Sequence, residues 1–313
     1  MKAVRFHQYG GPEVLQYEEA PIPEVSSDEV LIKVSATAFN PADAMLRMGA
    51  LKDFLPLQFP FIPNTDVSGV IEKIGESVQG LKVGDKVFAF LDMTKNGGAA
   101  EYVVSNADDV ALAPKNINLQ DAATIPSGAM TAWQGLFDHG NLQSGQRVLI
   151  TAAAGGVGSF AVQLAKWKGA YVIGTASEKS FSTLQELGID EIIDYKNELI
   201  EDKVTEKVDM IFNLSPISSD EVTKLLHVLK EGGTLVSALN PADESLAKEL
   251  GVNAVGMAVQ RNAEQLSQIA DVVDEGHIKP FITERLPLSD LAAAHEKVGK
   301  TRGKVLILVD DNK

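Results

Sequence analysis

The chain has 313 residues, 45% hydrophobic and 23% charged, with a net charge of −15 and no cysteine. That length accommodates two domains, each with its own core. The acidity argues against nucleic-acid or anionic-membrane partners, and the missing cysteine excludes disulfides, a thiolate nucleophile and cysteine-ligated zinc. The start, Met1-Lys-Ala-Val-Arg-Phe-His7, carries no apolar signal segment, and no 18-residue apolar run follows, so a cytoplasmic protein is expected.

Up to about residue 120 the pattern is one of short β-like segments: Val30–Ala36, Val67–Ile74, Lys86–Phe90 and Ala100–Val104. Turn signals such as Gly10-Gly-Pro12, Pro21-Ile-Pro23 and Gly84-Asp85 separate them, which predicts a barrel-like antiparallel domain. From about residue 121 strands and helices alternate. A helix is predicted around Ala122 to His139, then strands at Val148–Ile150, Tyr171–Thr175, Glu191–Tyr195, Val208–Asn213 and Gly233–Ala238. That succession specifies a parallel sheet covered by helices on both faces. A helix over Ala263 to Glu275 and a terminal strand, Lys304–Val309, complete the reading.

The most informative run is Arg147-Val-Leu-Ile-Thr-Ala-Ala-Ala-Gly-Gly-Val-Gly158, followed by an amphipathic stretch, Ser159–Lys168. Ala153, Gly155 and Gly158 occupy the three positions of the dinucleotide fingerprint G-x-G-x-x-G. The first permits a tight turn, the second lets main chain approach a pyrophosphate, and the third lets the helix pack against the strand. The exposed amides and positive dipole end of the helix then hold phosphate. An NAD enzyme usually ends its second strand in Asp or Glu. Here that strand ends Thr175-Ala176-Ser177, with Glu178 one residue beyond and Lys179 after it. Hydroxyls beside a lysine suit a 2′-phosphate that a carboxylate would repel, so NADPH is expected over NADH. The plainer reading of Lys179 is a solvated residue in the first turn of a helix.

With those motifs in view, the chain resembles the zinc-independent medium-chain dehydrogenases/reductases, in their quinone oxidoreductase and enone reductase branch. The resemblance spans essentially the whole length. It rests on Asn40-Pro-Ala-Asp43 with Arg47-x-Gly49, Pro63-Asn-Thr-Asp66-Val-Ser-Gly69, Val83–Phe88, Gly97–Tyr102, Ala122-Ala-x-Ile-Pro126, Thr131-Ala-Trp133, the Ala-Ala-Gly-Gly-Val-Gly loop and Arg302-Gly-Lys-Val305. It implies an α/β protein: a GroES-like β-barrel catalytic domain (1–121 with 262–313) and a doubly wound Rossmann domain (122–261).

The resemblance also bears on chemistry. The positions that carry catalytic-zinc ligands in zinc-dependent relatives fall on Asn40, Thr65 and Ser127, whose neutral amide and hydroxyls are poor Zn²⁺ donors. The five histidines, 7, 139, 227, 277 and 295, show no ligand spacing. No metal site is therefore expected. Without a Lewis acid, alcohol oxidation loses its main driving device. Hydride addition to a quinone, or to the β-carbon of an enone, needs less, because charge delocalises onto an oxygen that hydrogen-bond donors can stabilise.

By resemblance, Asn40 lies on the nicotinamide side as a positioning residue, and Thr131 contacts the nicotinamide half of the cofactor. Lys179 and Tyr195 resemble contacts to the 2′-phosphate. The cofactor set extends to Gly156, Val157, Thr175, Ser177, Leu214, Ser237 and Arg302. Plainer readings stay open: a turn-forming Asn-Pro, a helix-interior hydroxyl for Thr131, a strand-end aromatic for Tyr195. Asp43 and Arg47 are expected to form a structural ion pair. Met45 stands where several quinone reductases carry a tyrosine, so no tyrosine acid is assigned. Leu46, Met48, Phe54 and the segment Val255 to Arg261 line the substrate site only by analogy.

The expected activity is NADPH-dependent, metal-independent reduction of a small electrophile, a quinone, enone or enal. The rivals are a zinc-type alcohol dehydrogenase and a crystallin-like or regulatory NADPH-binding protein with little turnover. RNA binding, known in some members of the branch, does not suit the net charge. The run Gly251–Ala258 reads as an unblocked sheet edge through which a homodimer forms.

Overall fold

A computed structural model describes residues 1–309. It divides into two compact units. One comprises Met1–Ser127, Arg261–Gly276 and the segment that starts at Pro280; the other comprises Gly128–Gln260 with His277–Lys279.

The first unit is built on a seven-stranded sheet ordered Ile282–Pro287, Lys304–Leu308, Glu29–Phe39, Asp66–Ile74, Lys86–Phe90 and Val110–Leu112, with Tyr102–Asn106 joined to Glu29–Phe39. The strand Glu29–Phe39 organises it. Along one side it pairs antiparallel with Asp66–Ile74. On the other it is shared, Tyr102–Asn106 taking Glu29 to Lys33 and Lys304–Leu308 taking Ala36 to Phe39. Alternate residues Val30, Ile32 and Val34 enter a core with Val67, Ile71, Val87, Ala89 and Val103. A second core gathers Phe39, Ala44, Ile62, Leu291, Val305 and Ile307. The period-2 alternation that made these segments legible as strands is the same alternation that fills the cores.

The second unit is a six-stranded, all-parallel sheet ordered Glu191–Asp194, Tyr171–Ala176, Arg147–Ile150, Val208–Asn213, Leu229–Ser237 and Asn253–Gly256. The chain starts at Arg147–Ile150, winds outward to one side, then returns and winds outward to the other. The direction reverses between Arg147–Ile150 and Val208–Asn213. In open parallel sheets that crevice, at the carboxyl ends of the strands, is where ligands bind.

Beside elements that the sequence reading did not name, such as Lys2–Arg5, Gln16–Glu19 and Ile282–Pro287, two expected elements take a different form. The single helix predicted over 122–139 is instead Leu119–Ala122, Pro126–Trp133 and a π-helical turn, Gln134–His139. Pro126 cannot donate a helical N–H, so it starts a helix rather than continuing one. Gly135 sets the close approach to the sheet, because a Cβ there would lie 2.3 Å from the Phe212 ring. The second difference is the fifth strand, which begins at Leu229 rather than Gly233, because Leu229 pairs with Val208 ahead of a register shift.

Candidate active site

The end of Glu29–Phe39 delivers Asn40, which caps the helix Pro41–Met48, with Pro41 in the first turn. Asp43 reaches back so that its Oδ2 accepts the main-chain N–H of Asn40 at 2.7 Å. The Asn40 carboxamide is used elsewhere. Its Nδ2 donates to Asp66 Oδ2 at 2.9 Å, and its Oδ1 accepts from the Lys304 ammonium at 2.6 Å. Lys304 also lies 3.3 Å from Asp66 Oδ2, and Ser127 donates to Asp66 through its main-chain N–H (2.8 Å) and its hydroxyl (2.6 Å). Asp66 is fully buried and Lys304 is 3% exposed, whereas Asn40 and Ser127 are half-buried.

Strand register explains the convergence. Asp66 pairs with Ala38, and Val305 pairs with Phe39, so three chain segments deliver Asp66, Lys304 and Asn40 to the same end of the sheet. A buried charge pair of this kind holds only with further hydrogen bonds, which Asn40 supplies to both partners and Ser127 to Asp66.

Asp43 lies beside this network. It is wholly buried and its Oδ1 has no partner among the described residues. Burial pushes its carboxyl up to about 7; the Asn40 N–H opposes the shift and the Asp66 charge adds to it.

The expected Asp43–Arg47 ion pair is not formed. Arg47 Nε donates to Nδ1 of His295 at 3.1 Å, and its Nη1 donates to the carbonyl of Gly10. Asp43 turns toward the start of the helix, where a free N–H needs an acceptor, and Arg47 runs into the core. Burial lowers the Arg47 pKa. His295 is held down to about 3, first by burial and then by the Arg47 charge, so it is a neutral acceptor. Leu46 is 2% exposed and cannot line an open cleft, in contrast to Met48 at 50% and Phe54 at 84%.

In the parallel sheet the glycine run lies at the reversal point. Ala152, two residues beyond the end of the first strand, adopts φ +51°, and its N–H is taken by the Thr175 hydroxyl at 3.0 Å. Ala153 is buried, and Gly174 makes room for it: a Cβ on Gly174 would lie 2.7 Å from that of Ala153. A Cβ on Gly158 would meet the carbonyl oxygens of Ala152 and Ala153 at 2.3 and 2.7 Å, so only glycine lets this helix start so close to the strand. On Gly155 a Cβ would approach only Ala152 O, at 3.1 Å. The helix Gly158–Trp167 begins with no side-chain cap; the N–H groups of Ser159, Phe160 and Ala161 already donate to the carbonyls of Gly155 and Val157, so those of Gly156, Val157 and Gly158 are the ones an anion would meet.

Thr151 ties the first and fourth strands of the sheet, donating to Asn213 Oδ1 and accepting the N–H of Leu214, both at 2.8 Å. The Ser237 hydroxyl is buried between Asn213 Nδ2 and Asn240 O. The second strand ends at Ala176, so Ser177 is its tip and Glu178 opens the next turn. Lys179 and Tyr195 are exposed, and Thr131 is buried in Pro126–Trp133. The structure thus gathers Ala153, Gly155, Gly156, Val157, Gly158, Thr175, Ser177, Leu214 and Ser237 at the carboxyl ends of adjacent strands. The Thr175 and Ser237 hydroxyls already serve the fold. Arg302 is exposed and belongs to the other unit.

Residues 26–115 match the alcohol dehydrogenase GroES-like domain, and 187–307 match a zinc-binding dehydrogenase domain. A chloroplast envelope quinone oxidoreductase homolog of Arabidopsis thaliana is 32% identical over 98% of both chains. The chain belongs to the quinone oxidoreductase branch of the medium-chain dehydrogenases/reductases. Within this family an NADPH-dependent alkenal/one oxidoreductase of A. thaliana is 34% identical over 98% of this chain and 79% of the relative. A solved quinone oxidoreductase of Coxiella burnetii superposes with a TM-score of 0.90 at 33% identity, covering 99% of each chain.

A metal is attached to the name of one matching domain, but among the described residues no group of three or more His, Cys, Asp or Glu could hold one. Asn40 and Ser127 are instead committed to Asp66, and Asn40 also accepts from Lys304. Sequence reading missed Asp66 and Lys304. The available signal was a charged residue heading each of two apolar strands, Asp66-Val-Ser-Gly and Lys304-Val-Leu-Ile-Leu, with opposite signs.

Proposed function

We propose that this protein is an NADPH-dependent reductase that, without a metal, transfers hydride to quinones or to the C=C of α,β-unsaturated carbonyls. The observation that carries the reading is the network of Asn40, Asp66, Ser127 and Lys304, in which a covalently attached ammonium sits beside Asn40, one of the positions that the resemblance matches to the metal ligands of zinc-dependent members. The names of the relatives fit the same substrate classes.

NADPH, when bound, supplies a hydride from its nicotinamide ring. The uncapped start of Gly158–Trp167 and the space beside Gly155 suit its pyrophosphate. Ser177 at the strand tip, with Lys179 and Tyr195, fits a 2′-phosphate, which favours NADPH over NADH. Thr131, Leu214, Ser237 and Arg302 complete the assigned contacts, Ser237 through its position at the end of Leu229–Ser237. Asn40 orients the reacting groups and donates to the oxygen on which charge collects. Asn253–Gly256, the outer strand of the parallel sheet, is the assigned edge for a homodimer.

The experiment is reduction of methyl vinyl ketone and a benzoquinone with C4-deuterated NADPH, before and after prolonged chelation. Deuterium at the β-carbon of the saturated ketone, an α-proton from solvent and undiminished activity after chelation are expected. Deuterium on the carbonyl carbon, giving an allylic alcohol, would replace this reading with carbonyl reduction. Light scattering at micromolar protein checks the dimer, and a monomeric mass would remove it.

A further inference from the structure

The Asn40 carboxamide is held in one orientation by its partners. Lys304 can only donate and Asp66 can only accept, so Oδ1 must face the ammonium and Nδ2 the carboxylate. The reverse flip would set two donors against each other and two acceptors against each other. Nδ2 carries two hydrogens. One goes to Asp66; the other has no acceptor among the described residues, and Asn40 is half-buried rather than enclosed. The donor most directly bound to a buried cation is therefore also the one with an unused hydrogen.

A positive charge on an amide oxygen draws electron density from nitrogen and makes the remaining N–H a stronger donor. Chains of hydrogen bonds polarise one another in this way, most strongly where water is excluded. Lys304 is nearly wholly buried and cannot itself reach a substrate. We infer that Lys304 is a positioning residue that orients and polarises Asn40, so that the free Asn40 amide hydrogen binds the oxygen of the developing enolate or hydroquinone anion. The inference rests on the proposed function and adds to it the source of the charge stabilisation. In the step concerned, hydride arrives at the β-carbon of an enone and the C=C pair shifts to leave negative charge on the former carbonyl oxygen; for a quinone it arrives at one carbonyl oxygen and the ring π electrons shift to leave the charge on the other. The Asn40 N–H binds that oxygen, and water then supplies the proton, to carbon for an enone or to oxygen for a quinone. No protein group changes protonation state.

The test uses Lys304→Met together with Asp66→Asn, so that both charges leave the core at once and position 66 keeps one oxygen to accept from Asn40 and the Ser127 hydroxyl, its amide nitrogen taking the place beside the Ser127 N–H. Lys304→Arg is the conservative variant, and Asn40→Ala, alone and combined with the charge-neutral pair, closes the cycle. Three quantities are read: kcat with an enone and a benzoquinone, NADPH affinity by fluorescence titration, and the visible band of 4-nitrophenolate bound to protein with NADP⁺. The last reports stabilisation of an oxyanion without turnover.

Loss of the polarisation and orientation of one donor, a part of the roughly 10²- to 10³-fold that a whole oxyanion donor is worth, predicts a fall in kcat of roughly 10- to 100-fold in the charge-neutral pair. NADPH affinity should stay within about twofold, the bound phenolate fraction should drop, and Lys304→Arg should recover part of both losses. In the Asn40→Ala background the charge-neutral pair should cost about twofold or less, because its effect is routed through Asn40. Independent, multiplying losses would overturn the role, as would an unchanged phenolate band or a parallel loss of NADPH affinity. If wild-type protein reduces neither electrophile, the proposed function itself fails. If wild type turns over and the variants match it, only the role of Lys304 falls.

Discussion

Asp43 Oδ2 accepts the main-chain N–H of Asn40 at 2.7 Å, while Oδ1 of the same carboxyl group, equally buried, has no partner among the described residues. One oxygen caps a helix and the other favours a proton.

That division sets a pH dependence. The Asp43 carboxyl is raised from 3.8 to about 7 in the folded protein. A group raised on folding favours the fold at low pH, and that contribution is lost as pH climbs from the unfolded value through the folded one. Asp43→Asn keeps an oxygen for the Asn40 N–H and removes the charge. It should raise Tm at pH 8 by several degrees and change it little at pH 4. A larger gain at pH 4 than at pH 8 would show that Asp43 is held ionised.

His295 acts with the opposite sign. Its pKa falls from 6.5 to about 3, so the unfolded chain takes up a proton first and stability is lost as pH drops from 6.5 toward 3. Between about 4 and 6.5 the two slopes oppose each other, and the stability of the first unit should vary little with pH there. His295→Gln, with an amide oxygen available to Arg47, should flatten the acid limb of a pH–Tm profile. An unaltered acid limb would contradict the assignment.

The two glycines of the nucleotide loop should separate folding from binding. Gly158→Ala places a Cβ 2.3 Å from a main-chain oxygen, and overpacking of this kind costs about 1–3 kcal/mol. It should lower both Tm and NADPH affinity. Gly155→Ala meets only one protein atom, at 3.1 Å. It should melt near the wild-type temperature yet lose NADPH affinity at least about tenfold, through interference with the pyrophosphate. Calorimetric melts beside fluorescence titrations make the comparison, and Gly155→Ala with normal affinity would remove the pyrophosphate from that side of the loop.

In the proposed reading, the preference for NADPH rests on Lys179. A charge-assisted contact contributes about 1.5–3 kcal/mol, so Lys179→Ala should weaken NADPH roughly tenfold or more and leave NADH nearly unchanged. Equal weakening of both cofactors would place Lys179 away from the 2′-phosphate.

The two units were legible in the sequence to different degrees. The parallel sheet could be read strand by strand because each buried strand is a short apolar run bounded by turn residues, and the glycine loop carries its reason within twelve consecutive positions. The break at Pro126 was written in a residue that cannot donate, and was outweighed by the apolar pattern around it. The site network was not legible, because Asn40, Asp66, Ser127 and Lys304 are brought together by pairings up to 264 positions apart. Charges heading apolar strands announce a buried polar cluster without naming its members. The expected Asp43–Arg47 pair failed for a local reason: i,i+4 spacing permits contact on a helix surface, but both side chains are buried and each met a nearer need.

The order in which the chain is made gives the Lys304 contact a further consequence. The parallel sheet draws its strands from Arg147–Ile150 to Asn253–Gly256, so all its pairing partners exist before Lys304 is synthesised. The first unit has Asp66 early and its ammonium only after that entire sheet has been translated. During synthesis it must wait with an uncompensated acid at its centre and one side of Glu29–Phe39 uncovered from Ala36 to Phe39. Ribosome-stalled chains ending near residue 290 should therefore present a protease-resistant parallel sheet beside a first unit that is still cut.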